Sequence, residues 1–413
     1  MAADRLYTPG GMASLASVAS ALETRATRAR ALLDASPALR AALTPFLAAK
    51  VVAFLVPVLV VWSTTDIPHH PGYQDVVRTF GFWDGQNYIT LAQQGYPPGP
   101  LDLVPGHPGH LWGFFPGLPL LIRAGMLIFR DATTTGILVS VAGEFFALYF
   151  LAKLVLLERN GDWRMARFAC WLLAFFPDAV FLSVVYTDSV FLAAALASVY
   201  YMRRDESARA GVAAAIAVAM RITGLVLVPV LVVEHLWRRR GRGLGAGFLS
   251  VAIALAPLVA FCAFAWRQTG DFLAYKTVQQ SPSYGSRVFA WPWSGLKRTW
   301  EVVQGGGPSN YNFLFFSDVV WGIAGLVAIA WFAWNWRRFP PSLTLFCAGV
   351  WLLATSLTFW QGLMRYELAF IPLYLAGADL WRRRPQAATV LLVASGAWMV
   401  VQTYAFATGR FIV

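Results

Sequence analysis

Charge is scarce in this chain of 413 residues: only 13% are Asp, Glu, Lys or Arg, about half the share a soluble globular domain carries. That shortage excludes a soluble fold. Disorder is excluded too, because 58% of the residues are hydrophobic, with 18 Trp and 30 Phe among them. Cysteine is nearly absent. Cys170, Cys262 and Cys347 each lie within an apolar run, which indicates neither a disulfide framework nor a zinc site, and all three read as small buried hydrophobes. Also missing are a P-loop, a glycine-rich dinucleotide fingerprint and a Ser-His-Asp pattern. The residues up to Arg40 have no apolar core and no cleavage site, so they are no secretory signal. Residues 1–42 read as a cytosolic lead-in, and 43–413 as one membrane domain.

Acidic residues are fewer than basic ones, 21 against 33, for a formal charge of +12, and only four of the cations are Lys. On a soluble chain this balance would suggest nucleic acid. On so apolar a chain it is a topology signal at the membrane surface, and no nucleic-acid partner is expected.

A span needs about 20 mostly apolar residues to cross a hydrocarbon core of about 30 Å. Residues 43–62, 134–155, 244–266, 314–334, 343–359, 368–381 and 387–407 qualify singly. Two runs, 168–202 and 210–237, are too long for one span and short for two. Polar breaks interrupt both: Pro177-Asp178 and the stretch from Tyr186 to Ser189 in the first, Arg221 to Gly224 in the second. Reading each run as two short helices brings all six Lys and Arg clusters to one side, before residue 43 and at 153–167, 203–209, 238–242, 337–338 and 382–384. The expectation is an all-α, polytopic plasma-membrane protein of about eleven transmembrane helices, N-terminus cytosolic and C-terminus outside. Two long segments, 63–133 and 267–313, are then extracytoplasmic. The first is longer than a connection requires. Its stretch 113–129, broken by Pro116, Pro119 and Arg123, is too short to span and reads as an interfacial helix.

Ionisable groups near or within spans tend to face a cavity. Asp84 follows the first span between aromatics, where a carboxylate serves either as a general base toward a sugar hydroxyl or as the cap of the helix starting near Gly85. Asp188, in Tyr186-Thr187-Asp188-Ser189, is likewise either a cap or a site residue. Arg221 has no acidic neighbour in sequence and needs an anionic partner from the protein or a ligand. Arg365, near Tyr366, pairs with Glu367, with another carboxylate, or with a phosphate. Lys276, Arg287, Lys297 and Arg298 in the second outer segment are solvated charges or attract lipid phosphate. His69, His70, His107 and His110 lack the helical spacing of a zinc site, and no metal is expected. Glu144, inside the second span, lines a cavity or pairs with another buried polar group.

In order and spacing, several segments together resemble the PIG-V family, the GPI mannosyltransferase 2 type of membrane glycosyltransferase with the GT-C fold. They are Phe82-Trp83-Asp84-Gly85, Leu91-Ala92-Gln93-Gln94-Gly95-Tyr96, Phe114-Phe115-Pro116-Gly117-Leu118-Pro119-Leu120, Phe175-Phe176-Pro177, the stretch from Phe181 to Ser189, Arg221-Ile222-Thr223-Gly224, Arg365-Tyr366 and Gly409-Arg410. The resemblance covers nearly the whole chain beyond the lead-in. It implies transfer of mannose, metal-independent or weakly metal-dependent, from a polyprenyl-phosphate sugar to a lipid-linked or glycan acceptor on the non-cytosolic face, without a cofactor.

On that resemblance Asp84 is the catalytic base. Arg221 and Arg365, with Lys276 behind them, would stabilise the leaving phosphate. Trp83, Tyr88 and Tyr186 would stack on or hydrogen-bond the sugar, and Asp188 and Tyr366 complete the substrate-binding set. The family's tyrosine-serine-glutamate-serine pattern carries a shorter carboxylate here, at Asp188. The Arg- and Ala-rich composition resembles that of a GC-rich bacterium, so the acceptor need not be a GPI anchor. Two other classes fit the same polar cavity: a polyprenyl-lipid flippase, and a non-catalytic subunit of a glycosylation complex.

Overall fold

The computed structural model describes residues 20, 36–64, 72–104, 106–239, 245–282, 286–306 and 309–412. His69, His70 and nearly all of the expected lead-in lie outside the described residues. Those described are helical apart from loops and one isolated antiparallel bridge between Phe289 and Leu357.

In chain order the α-helices are α1 (Pro37–Thr64), α2 (Tyr73–Thr79), α3 (Asp84–Gln94), α4 (Gly117–Phe129), α5 (Ala132–Glu158), α6 (Trp163–Ala174), α7 (Asp188–Arg203), α8 (Ser207–Met220) and α9 (Leu227–Arg239). They continue with α10 (Gly245–Thr269), α11 (Ala274–Gln280), α12 (Pro292–Glu301), α13 (Ser309–Trp334), α14 (Pro341–Thr355), α15 (Leu363–Glu367), α16 (Ile371–Arg383) and α17 (Pro385–Ala407). Local chemistry sets many of these starts. Asp131 accepts from the Thr134 N–H at 2.6 Å to cap α5, and Asp162 caps α6 through Arg164 at 2.9 Å. Proline opens α12, α14 and α17, where its missing N–H costs no helical bond.

Among the described residues five helices are long and apolar enough to cross a membrane: α1, α5, α10, α13 and α17. The protein is therefore a multi-pass membrane protein by helix composition. The remaining helices at expected spans, α6, α7, α8, α9, α14 and α16, have 12 to 16 residues. At 1.5 Å per residue each reaches only about 18–24 Å, short of a full crossing. Both long runs do break into helix pairs, at 175–187 and 221–226, where 3₁₀ turns at Ala179–Leu182 and Ile222–Val226 replace the α-helix. The stretch 113–129 runs from the end of a 3₁₀ turn, Pro108–Gly113, through a short loop into α4. That helix buries Leu118 and Ile122 while exposing Leu120, Leu127 and Ile128, as a helix lying in an interface would.

Small residues let the short helices approach closely, which is how helices associate where water supplies no hydrophobic force. Ala213, Ala214 and Ala217 of α8 and Ala193 to Ala197 of α7 are buried. A Cβ on Gly143 of α5 would lie 2.8 Å from the Val190 nitrogen of α7. One end of the bundle is tied by ion pairs. Arg203 bonds Glu158 at 2.8 Å and Glu234 at 3.0 Å, and Asp379 takes Arg159 at 2.8 Å and Arg338 at 2.7 Å. Basic residues from several of the expected same-side clusters thus meet at one end. Cys170 and Cys347 are buried, but Cys262 is only half-buried, because its part of α10 faces outward.

Candidate active site

Away from that tied end, the breaks in the short helices converge on a cavity of about 760 Å³. Its walls come from α3, the 113–115 loop, the two breaks, α11, the 286–291 segment, α13, the 359–366 region and residue 411. Because the helices stop short there, their ends and loops supply polar groups to a place that continuous spans would line with apolar side chains.

Asp84 is the first residue of α3 and lines the cavity. It does not cap the helix: the capping position is Trp83, with no side-chain bond. Among the described residues the Asp84 carboxylate has no hydrogen bond or ion pair. Two backbone links place it instead. The Val185 N–H donates to the Phe80 carbonyl at 2.9 Å, and the Asp84 N–H donates to the Tyr186 hydroxyl at 3.2 Å. Trp83 takes φ 57°, ψ −122°, a strained conformation for a bulky residue, held directly before the carboxylate. Its ring packs edge-on against Phe411, with centroids 5.0 Å apart. Burial raises the Asp84 pKa above its ordinary value; Arg365 and Arg287 oppose the rise and Asp188 adds to it. Tyr88, one turn on, is pushed up by burial and then by the Asp84 charge, and so stays a neutral phenol.

Arg221 and Arg365 both line the cavity, and both find their partner in Asp188. Arg365 grips it through Nη2 to Oδ2 at 2.7 Å and Nε to Oδ2 at 3.0 Å, while Arg221 Nη1 bonds Oδ1. Asp188, 2% exposed, is not itself a cavity-lining residue. It stands behind the two guanidiniums and fixes them, and it makes no side-chain cap of α7. Aromatic faces complete the seating. The Arg365 guanidinium lies 4.6 Å from the Phe181 ring and 4.7 Å from Tyr186, and Arg221 lies 4.9 Å from Tyr366. Glu367 is no partner of Arg365.

Of the residues expected from sequence, the cavity thus gathers Trp83, Asp84, Tyr88, Tyr186, Arg221, Arg365 and Tyr366. Lys276 is exposed on α11 and lies off the cavity, while its neighbours Tyr275 and Gln279 line it. The cation that the second long segment does bring in is Arg287, bonded to Gln361 at 2.6 Å. Asn87, Asp318 and Phe411 also line the cavity and were missed. Asp318 had a signal, a carboxylate within an apolar helix, and it accepts from the Leu363 N–H at 2.8 Å. Glu144 is not in the cavity: it pairs with Lys50, which also bonds Ser183. Among the described residues no cluster of three or more His, Cys, Asp or Glu is placed to hold a metal.

A carboxylate with no bonded partner among the described residues and two anchored guanidiniums thus share one cavity of a helical membrane protein. The family follows from comparison: residues 116–359, more than half of the chain, match the model of Glycosyltransferase family 87, and the chain belongs to that family. Over 185 residues it is 29% identical to GPI alpha-1,6-mannosyltransferase 2 of Cricetulus griseus, 43% of this chain and 34% of that protein. The chain thus spans about a third of that relative's length. Among solved structures it is similar to the Archaeoglobus fulgidus oligosaccharyltransferase, at 13% identity over 87% of this chain and 53% of that one, TM-score 0.48. It is also similar to ArnT from Cupriavidus metallidurans, at 16% identity over 84% and 62%, TM-score 0.48.

Proposed function

We propose that this membrane glycosyltransferase is an inverting enzyme of GT-C-like architecture. It moves a mannosyl residue from a polyprenyl-phosphate donor to a lipid-linked or glycan acceptor on the extracytoplasmic face of the plasma membrane. The observation that carries the reading is the presence, in one cavity, of an unpaired carboxylate and two guanidiniums fixed by a carboxylate behind them. Mannose, and the lipid phosphate with it, rest on the resemblance and on the distant mannosyltransferase relative.

In this mechanism Asp84 takes the proton of an acceptor hydroxyl as its oxygen bonds the anomeric carbon. The bond from that carbon to the phosphate oxygen breaks on the other face, and its electron pair leaves with the polyprenyl phosphate. Inversion follows from a single displacement. Charge grows on the departing phosphate oxygen, and preorganised guanidiniums stabilise it most because they need no reorganisation. That is the role of Arg221 and Arg365, with Arg287 a third cation on the wall. Since Asp188 holds both of the first two, their positions are set before substrate arrives.

The test is to incubate the purified protein with polyprenyl-phosphate mannose and a panel of acceptors, and to measure released polyprenyl phosphate and the anomeric configuration of the product. Acceptor-dependent release with inversion supports the reading. Retention of configuration, or movement of the lipid across a bilayer without release, would refute it.

A further inference from the structure

Asn87 stands one turn along α3 from Asp84 and lines the same cavity. Residues three apart share a helix face, so amide and carboxylate are neighbours there. The Asn87 Oδ1 lies 3.1 Å from Nε2 of His110, and the other ring nitrogen, Nδ1, lies 3.0 Å from the His107 carbonyl oxygen. His110 sits on the 3₁₀ turn Pro108–Gly113. Trp112 pins that turn: it is fully buried, and its indole N–H donates to the Pro97 carbonyl at 3.1 Å. The imidazole is thereby a fixed support for the amide.

With Nδ1 turned to the His107 carbonyl, the ring gives its other nitrogen, Nε2, to the Asn87 amide. With a hydrogen on Nε2, His110 occupies the amide oxygen and leaves the Asn87 NH₂ to the cavity. With no hydrogen on Nε2 the amide would turn over, giving its NH₂ to the ring and its oxygen to the cavity. Either way His110 decides which atom of Asn87 the ligand meets, and that atom has no other partner among the described residues.

Building on the reading of Asp84 as the base, we propose that Asn87, oriented by His110, holds a hydroxyl adjacent to the one that attacks. The acceptor is then a vicinal diol, which is to say a sugar ring, and not a lone alcohol. Asp84 takes the proton of the attacking hydroxyl while the Asn87 amide bonds its neighbour. The pair reads two oxygens on adjacent ring carbons, and a site built to hydrogen-bond a hydroxyl rejects the analogue that lacks it.

The experiment uses the full-length protein with polyprenyl-phosphate mannose and a panel of octyl glycosides, their monodeoxy analogues and simple alkanols. Asn87→Leu is expected to raise the acceptor KM about tenfold, with the inhibition constant of polyprenyl phosphate unchanged. One monodeoxy analogue should reproduce that loss in the wild type and add nothing in the variant. His110→Phe should show part of the loss, and His110→Gln, whose amide N–H can still support Asn87, should keep near-normal KM. Equal turnover of alkanols and glycosides, or losses from Asn87→Leu and from the deoxy analogue that simply multiply, would overturn the proposal. Absence of donor consumption by the wild type with every acceptor would instead overturn the transferase reading beneath it.

Discussion

On the proposed mechanism, replacing Asp84 by Asn separates catalysis from stability. The substitution keeps the shape of the side chain and removes its ability to take a proton. A positioned general base contributes about 10²- to 10⁴-fold, so kcat should fall by that factor, about 3–5 kcal/mol of barrier. Folding should not suffer, because the carboxylate has no bonded partner among the described residues to lose. The sign of the linkage points the same way. Burial holds the folded-state pKa above its ordinary value near 3.8, so the folded state binds the proton more tightly than the unfolded chain. Stability contributed by this group is therefore greatest below that ordinary value and is lost as pH rises through the raised one. The Asn variant carries no such penalty at neutral pH and should melt at the wild-type temperature or above. Activity of the wild type should fall on the acid side as Asp84 protonates, at a pH above the ordinary Asp value. The assays are single-turnover release of polyprenyl phosphate across pH, and thermal unfolding in detergent. Near-normal kcat in Asp84→Asn, or a melting temperature well below wild type, would refute the reasoning.

Asp188→Asn should behave in the opposite manner. It leaves the Arg221 and Arg365 guanidiniums without their carboxylate, and breaking a buried pair in this way costs about 3–5 kcal/mol, readable as a large drop in melting temperature. Asp188→Glu, which keeps the carboxylate one methylene further out, should keep the fold and part of the activity. Phe411→Ala removes the ring against which the strained Trp83 is braced; kcat should fall about ten- to a hundredfold with polyprenyl phosphate binding intact, checked by comparing turnover with direct lipid binding. Lys50→Met leaves Glu144, 1% exposed, as an unpaired buried carboxylate, so the melting temperature should drop. Adding Glu144→Leu should recover most of that loss, and a double-mutant cycle measures the coupling.

Much of the helical plan was legible because hydrophobic runs and charge clusters are local facts. The breaks at Pro177 and at Arg221 fell where polar residues interrupted apolar stretches, and the structure ends its short helices there. Asp84 was legible as a carboxylate isolated among aromatics outside the first span. What a sequence-local reading could not provide was pairing. Asp188 lies 177 positions from Arg365 and 33 from Arg221, so its service to both appears only once α7, the 221–226 turn and α15 meet. For the same reason Lys276 and Arg287 were indistinguishable as loop cations. Only the pairing of 286–291 with 356–361 carries Arg287 into the cavity and leaves Lys276 outside. Glu144 resolved likewise, through a lysine 94 residues away.

The sequence by itself determined that this chain lives among lipids, where it is helical and where polar residues interrupt its helices. Those properties follow from apolar length and from polar interruptions, which act along the chain. The tertiary structure decided which charges neutralise one another and which remain for a ligand. In a medium where a buried charge must find a partner, that outcome depends on which segments are brought together, and here the break before α7, the end of α8, α3, α13 and the 359–366 region meet at one cavity.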